Sequence, residues 1–307
     1  MILIKKLATV ALAVTLALPP ANAAAAPTVA TSESAPSGKI TDLGVPLQDV
    51  LLIGGAVAPG PRGKTVLWSA SSGAPAKLNA VDPVTGAAAA RFDLPGAGGS
   101  WAVDATPDGG VYVGSYGDGR LYRWTEQGGV QDLGRPIASE DFIWSVAPGE
   151  GATVYGGTSI YGGQSATQPT QPEAKLFAWS VRQDKLLWEM VPAPGKPAIS
   201  GLTFDDRGRL WGIAGGTVFT VNTAARRVVS TVTLSASTSA SGKLEFDQRD
   251  RMLYGAHAGT SVFRLDPGSR RHTALREGPV HQLAVHRSGD VYFAEGPRLF
   301  RYEPQIR

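Results

Sequence analysis

At 307 residues, with 43% hydrophobic and 18% charged side chains, the chain is long enough for one large domain, and 38 glycines and 22 prolines point to many turns. The absence of cysteine excludes a disulfide framework and a cysteine-linked lipid anchor. The formal charge of +3 includes Lys5 and Lys6; without them 27 basic residues face 26 acidic ones. The pairs Arg226-Arg227 and Arg270-Arg271 are scattered over turns, which excludes the concentrated basic stripe of a nucleic-acid binder.

Residues 1–23 read as a secretory signal peptide. Lys5 and Lys6 precede an apolar run over 7–18, too short for a spanning helix, and Ala21-Asn22-Ala23 supplies a small-residue cleavage site. A secreted, extracellular protein with no membrane span after cleavage is expected. Residues 24–39 are small and Pro-rich, without apolar periodicity, and are expected to be a disordered linker.

The remaining residues, 40–307, repeat one unit. Its clearest copy is 101–134, where the apolar runs WAVDAT, VYVGSY, RLYRW and VQDL are separated by PDGG, GDG and EQGG. Period-two alternation bounded by Gly- and Asp-rich turns predicts four antiparallel strands. Such a unit cannot bury both faces alone, so it must stack on copies of itself. Copies begin near Asp49, Trp101, Phe142, Ala198, Gly242 and His281, and the third carries a long insertion over 160–173. The sixth stops after three strands, whereas ITDLG at 40–44 matches the fourth-strand sequence VQDLG and stands before any inner strand. The predicted fold is therefore all-β: a six-bladed β-propeller of four-stranded antiparallel blades, its last blade closed by the N-terminal strand.

Aromatic residues return at fixed places in the unit. Trp68, Tyr112, Tyr155, Trp211, Tyr254 and Tyr292 lie in second strands, and Tyr122, Phe177, Phe219, Phe263 and Phe300 in third strands. They are expected to fill the space between blades.

The pattern W-x-V-x-x-x-PDG-x-VY-x-G-x-Y-x-x-G-x-LYRW over 101–124 resembles secreted bacterial propellers of the group spanning YncE-like, NHL, gluconolactonase-like and pyrroloquinoline-quinone-like repeats. The segments LNAVDPVTGAAAARF and LFAWSVRQDKLLWEM are similar to the quinoprotein-type hairpin. The resemblance implies blades, not an activity, because this fold carries lyases, lactonases, hydrolases, dehydrogenases and binding scaffolds. A quinone cofactor is not expected, and the Glu, Asn and Asp constellation of a gluconolactonase-like metal site is not matched by Asp49 and Glu295.

In a propeller, the loops that enter the inner strands and those that join second to third strands surround the mouth of the central channel. Candidate ligand-binding residues there are Asp49, Trp101, Tyr116, Asp118, Asp141, Trp144 and Tyr161. Flat aromatic faces with carboxylates beside them suit a saccharide; the competing role for Trp101 and Trp144 is to plug the channel. His257, His281 and Glu295 are candidate catalytic residues, as base and acid of an elimination or hydrolysis; the alternative for the same group is to hold a divalent metal such as calcium, and no other cofactor is indicated. GxSxG, HExxH and GxxxxGK[ST] motifs are absent. Few Lys or Arg lie in the mouth loops, which argues against an acidic polysaccharide. The expectation is a monomeric propeller that binds an extracellular glycan or small molecule, with a polysaccharide lyase or hydrolase and a protein-interaction scaffold as alternatives.

Overall fold

A computed structural model of the chain describes residues 28–29, 38–47, 53–138, 142–161, 171–239, 242–257, 261–278, 280 and 282–305. These residues form six antiparallel sheets in a ring. Blade I comprises Ile53–Pro59, Thr65–Ser71, Ala76–Val81 and Ala88–Leu94, and blade II comprises Gly99–Ala105, Val111–Tyr116, Leu121–Thr125 and Gly129–Asp132. Ile143–Pro148, Thr153–Thr158, Leu176–Ser180 and Lys185–Met190 make blade III; Gly201–Phe204, Leu210–Ala214, Thr217–Asn222 and Arg227–Thr233 make blade IV. Blade V holds Gly242–Asp247, Met252–His257, Ser261–Leu265 and His272–Glu277. Blade VI holds Gln282–Val285, Val291–Glu295 and Arg298–Pro304, completed by Gly38–Gly44.

That last pairing closes the ring. Gly38–Gly44 runs antiparallel to Arg298–Pro304 and is clamped by a 2.6 Å ion pair between Arg298 and Asp42. The inner strand of blade VI packs beside that of blade I, so the two ends of the repeat meet on both the inside and the outside of the ring. Within 24–39, Thr28 and Val29 pair in parallel with Val232 and Thr233 on the outer edge of blade IV.

The repeating aromatics lie between the blades. Trp68, Trp211, Tyr122, Tyr254, Phe177, Phe219 and Phe263 are buried, each burial contributing roughly 1.5–3 kcal/mol. Three blades share one packing device. The residue after the second-strand aromatic is glycine, and it stands across from the third-strand phenylalanine: Gly156 faces Phe177, Gly212 faces Phe219 and Gly255 faces Phe263. A Cβ on Gly212 would lie 2.2 Å from the Phe219 ring, so the ring can lie flat over the backbone only because that side chain is missing. Blade IV is fixed further by Asp205, whose carboxylate accepts bonds from Trp211 Nε1 (2.8 Å), Arg209 Nε (2.6 Å) and the Arg207 and Arg209 amides.

Candidate functional site

The six inner strands enclose a channel on the ring axis, entered from above where those strands begin and from below where they end. The upper end is aromatic on one side. In blade II a register shift between Ser100 and Ala102 makes Trp101 the extra residue of a bulge, and in blade III the same shift between Ile143 and Ser145 does so for Trp144. A bulge re-aims the side chain of its extra residue. Here both indoles are half-buried at the head of adjacent strands and stack with centroids 5.2 Å apart. Trp144 also packs against Tyr116 (6.1 Å) and Phe142 (5.8 Å), and the Tyr116 hydroxyl hydrogen bonds to Ser72 Oγ at 2.6 Å.

The opposite wall is charged. Blade V stands three blades away from blade II, and its regular inner strand places Lys243 and Glu245 two residues apart, on one face. Lys243 Nζ reaches across the axis and donates to the Trp101 carbonyl. The blade II carboxylate Asp104 lies within electrostatic reach of Glu245. All three side chains keep partial access to water while protein surrounds them, as expected of channel-lining groups. Enclosure by protein penalises charge. It pushes the Asp104 carboxyl up to about 7, opposed by a hydrogen bond from the Ala105 amide, and lowers the Lys243 ammonium to about 8. Glu245 is raised well above the ordinary carboxylate range, first by burial and then by Asp104, with Lys243 opposing.

Below these groups the channel widens into a vestibule of about 370 Å³, bordered by Ala58, Asp104, Glu245, Val285, His286 and Arg287. Above, it narrows to a gap lined by Ala102, Ser145, Ser200, Lys243 and Glu245. Glu245 therefore borders both. His286 at the lower rim is held through Nδ1 by Ser288 Oγ at 2.7 Å.

The residues predicted from sequence fall into three groups. Trp101, Tyr116 and Trp144 come together at the upper end, as just described. Asp118 lies in a turn, where it accepts a bond from Ser115 Oγ and faces Arg120 at 3.3 Å; burial raises its carboxyl despite those partners. Tyr161 is exposed on the upper face, and its hydroxyl is 3.4 Å from the Thr238 carbonyl. Glu295 is engaged by Arg276 through two bonds of 2.7 and 3.1 Å, and the guanidinium lies over Phe300 at 4.5 Å. Asp49, Asp141 and His281 lie outside the described residues, as does the side chain of His257, whose backbone ends the second strand of blade V. Among the described residues no group of three or more His, Asp or Glu side chains is placed to hold a metal ion.

Sequence reasoning missed Asp104, Lys243 and Glu245. A signal was available: inner-strand positions that alternate toward the axis are apolar or small in most blades, and a Lys-x-Glu pair at that place in blade V breaks the pattern.

Comparison with solved structures finds a similar architecture in a streptogramin B lyase, with a TM-score of 0.58 and 11% identity over 87% of this chain and 98% of that one. The likeness shows the fold. The chain is a β-propeller built from repeats, and at that identity no residue role passes from one protein to the other. No protein-family model matches the chain, and no curated protein matches it. No helix among the described residues is long and apolar enough to cross a membrane.

Proposed function

We propose that the chain is an exported, monomeric propeller that binds a neutral carbohydrate at the upper mouth of its central channel. The observation that carries this reading is the pair Trp101 and Trp144, set on bulges of adjacent inner strands and left partly accessible at the channel entrance. Half-exposed indoles offer a sugar ring apolar contact area that requires little reordering. Three basic groups near the mouth are ion-paired, Lys77 with Asp93 at 2.5 Å, Arg120 with Asp132 at 2.6 Å and Arg298 with Asp42 at 2.6 Å, and Lys196 reaches the Ser237 carbonyl at 3.4 Å. An uncharged glycan therefore suits the mouth better than a polyuronate.

The test is a screen of neutral oligosaccharides against the purified protein by glycan array, followed by calorimetry. Trp101→Ala and Trp144→Ala are expected to weaken any binding about tenfold or more, the loss associated with a central aromatic contact. Unchanged affinity in both variants, or no binder for the folded wild type, refutes the reading. Export is part of it, and rests on Lys5, Lys6, the apolar run over 7–18 and Ala21-Asn22-Ala23. N-terminal sequencing of protein recovered from the medium is expected to begin at Ala24.

One observation favours a second reading, acid–base catalysis of glycan elimination or hydrolysis. Asp104, with its carboxyl near 7, can both give and take a proton at neutral pH. Under this reading a channel carboxyl does the work first assigned to His257 or His281. Turnover of a neutral polysaccharide that survives Asp104→Asn removes it. Calcium is expected to assist only if EDTA lowers the melting temperature, which a thermal scan with and without the chelator measures.

A further inference from the structure

Lys243 is placed for chemistry that sugar binding does not use. It stands in the narrow part of the channel, two residues from Glu245 on the same strand face and across the axis from Asp104 on blade II. Its Nζ donates one hydrogen to the Trp101 carbonyl, which fixes the nitrogen while a neutral amine still keeps its lone pair. Glu245 also borders the 370 Å³ vestibule below, so its carboxyl links that space to the narrow gap in which Lys243 stands. Among the described residues, Glu245 is the charged group that faces Lys243, with Asp104 within electrostatic reach of Glu245; the rest of the narrow gap is lined by small, apolar or hydroxyl side chains such as Ala102, Ser145 and Ser200.

We propose that Lys243 is an imine-forming amine that captures small aldehydes admitted to the channel, with Glu245 as its proton donor and acceptor and Asp104 acting through Glu245. The amine lone pair attacks the carbonyl carbon, and the carbonyl π pair moves to oxygen, which takes a proton from a neutral carboxyl. The nitrogen, cationic after attack, gives one hydrogen back to the carboxylate; loss of water from the resulting carbinolamine then needs a second proton on that oxygen, and the nitrogen gives its second hydrogen to the carboxylate as the C=N bond forms. The balance is one aldehyde plus one amine giving one imine plus one water, with no change of oxidation state.

The environment favours each step. Desolvation holds the Lys243 ammonium at about 8, so a far larger fraction is neutral at pH 7.5 than for a solvated lysine at about 10.4. The same enclosure keeps Glu245 and Asp104 protonated toward neutrality, which is the form that donates. The inference stands on the channel geometry and not on sugar binding, so failure of the glycan screen leaves it intact.

The experiment is reductive trapping. The folded wild-type protein is treated with glycolaldehyde and sodium cyanoborohydride from pH 6.5 to 9.5, and each lysine is followed by peptide mass spectrometry. Lys243 is expected to acquire the hydroxyethyl adduct about ten times faster than the exposed Lys64 and Lys185 at pH 7.5, reflecting its larger neutral fraction, and its rate should level off above about pH 8. An adduct at Lys243 that forms no faster than at Lys64 and Lys185 overturns the proposal, and wild-type protein alone decides it. Glu245→Gln is expected to slow labelling of Lys243 about tenfold while Lys64 is unchanged, in line with removal of a general acid. Equal labelling of Lys243 in that variant overturns the role given to Glu245.

Discussion

Blades II and V carry the same repeat and face each other across the axis, yet they build opposite kinds of wall. In blade II the inner strand is bulged, and the extra residue is a tryptophan at the channel head; in blade V the inner strand pairs without a shift and presents Lys243 and Glu245. The difference divides the ring. Blades I, II and III all shift register near the start of the inner strand, between Ile53 and Ala56, Ser100 and Ala102, and Ile143 and Ser145, whereas the inner strands of blades IV, V and VI are regular. A single inserted residue thus changes what one half of the channel displays, while the interblade packing outside it stays the same. Function can diverge on the axis because stability is carried elsewhere.

If so, changes outside the channel should cost the most. Removing residues 38–44 is expected to have the largest effect, because it exposes the edge of Arg298–Pro304 and breaks the join between the bulged and regular halves. A loss of about 4 kcal/mol or more is expected, seen as a large fall in denaturation midpoint. An unchanged midpoint would mean that inner-strand contact between blades VI and I closes the ring alone. Next comes Asp205→Ala in the regular half, which strands the Trp211 and Arg209 donors and should cost about 3 kcal/mol. Burial raises the Asp205 carboxyl, but its bonds from Trp211 and Arg209 outweigh that and leave it below the ordinary value. Its contribution is accordingly present above about pH 4 and disappears as the pH falls through the lowered folded value, so the gap between wild type and variant should narrow in acid. Gly212→Ala, which drives a methyl into Phe219, should cost about 1–3 kcal/mol by chemical denaturation.

The features legible in the sequence are those that repeat. Six blades, their boundaries and the closing strand at 40–44 follow from matched turns and recurring aromatics, because each copy answers the same packing problem; the strand begins only two residues earlier, at Gly38. The grouping of Trp101, Trp144 and Tyr116 was also legible, since position in the unit fixes height in the ring. The bulges were not. A one-residue slip leaves almost no trace in alternation when the neighbours are Gly99, Ser100 and Ala102. The pairing of Glu245 with Asp104 was equally hidden, because it joins residues 141 positions apart through ring closure and not through any local motif. Glu295 shows the converse: its place beside the mouth was inferred from register, but its partner Arg276 comes from the neighbouring blade V.

The smallest effect distinguishes the two walls by sign. Asp104→Asn should stabilise the protein at pH 8, where most surface and core substitutions elsewhere in the ring do nothing or harm. Burial raises the Asp104 carboxyl to about 7, so between about pH 4 and pH 7 the folded state holds a proton that the unfolded state has released. The contribution of this group is therefore full below about pH 4 and is lost as the pH rises through about 7. Asparagine does not titrate, and it also removes the negative neighbour that raises Glu245. Variant and wild type should melt together near pH 4, separate as the pH rises through about 7 and keep that gap at pH 8, where the variant gains about 1 kcal/mol once the partial access of Asp104 to water is discounted. A variant that is less stable than wild type at pH 8 would show that ionised Asp104 is held by partners in the channel, and the charged wall would then be a source of stability and not a cost kept for chemistry.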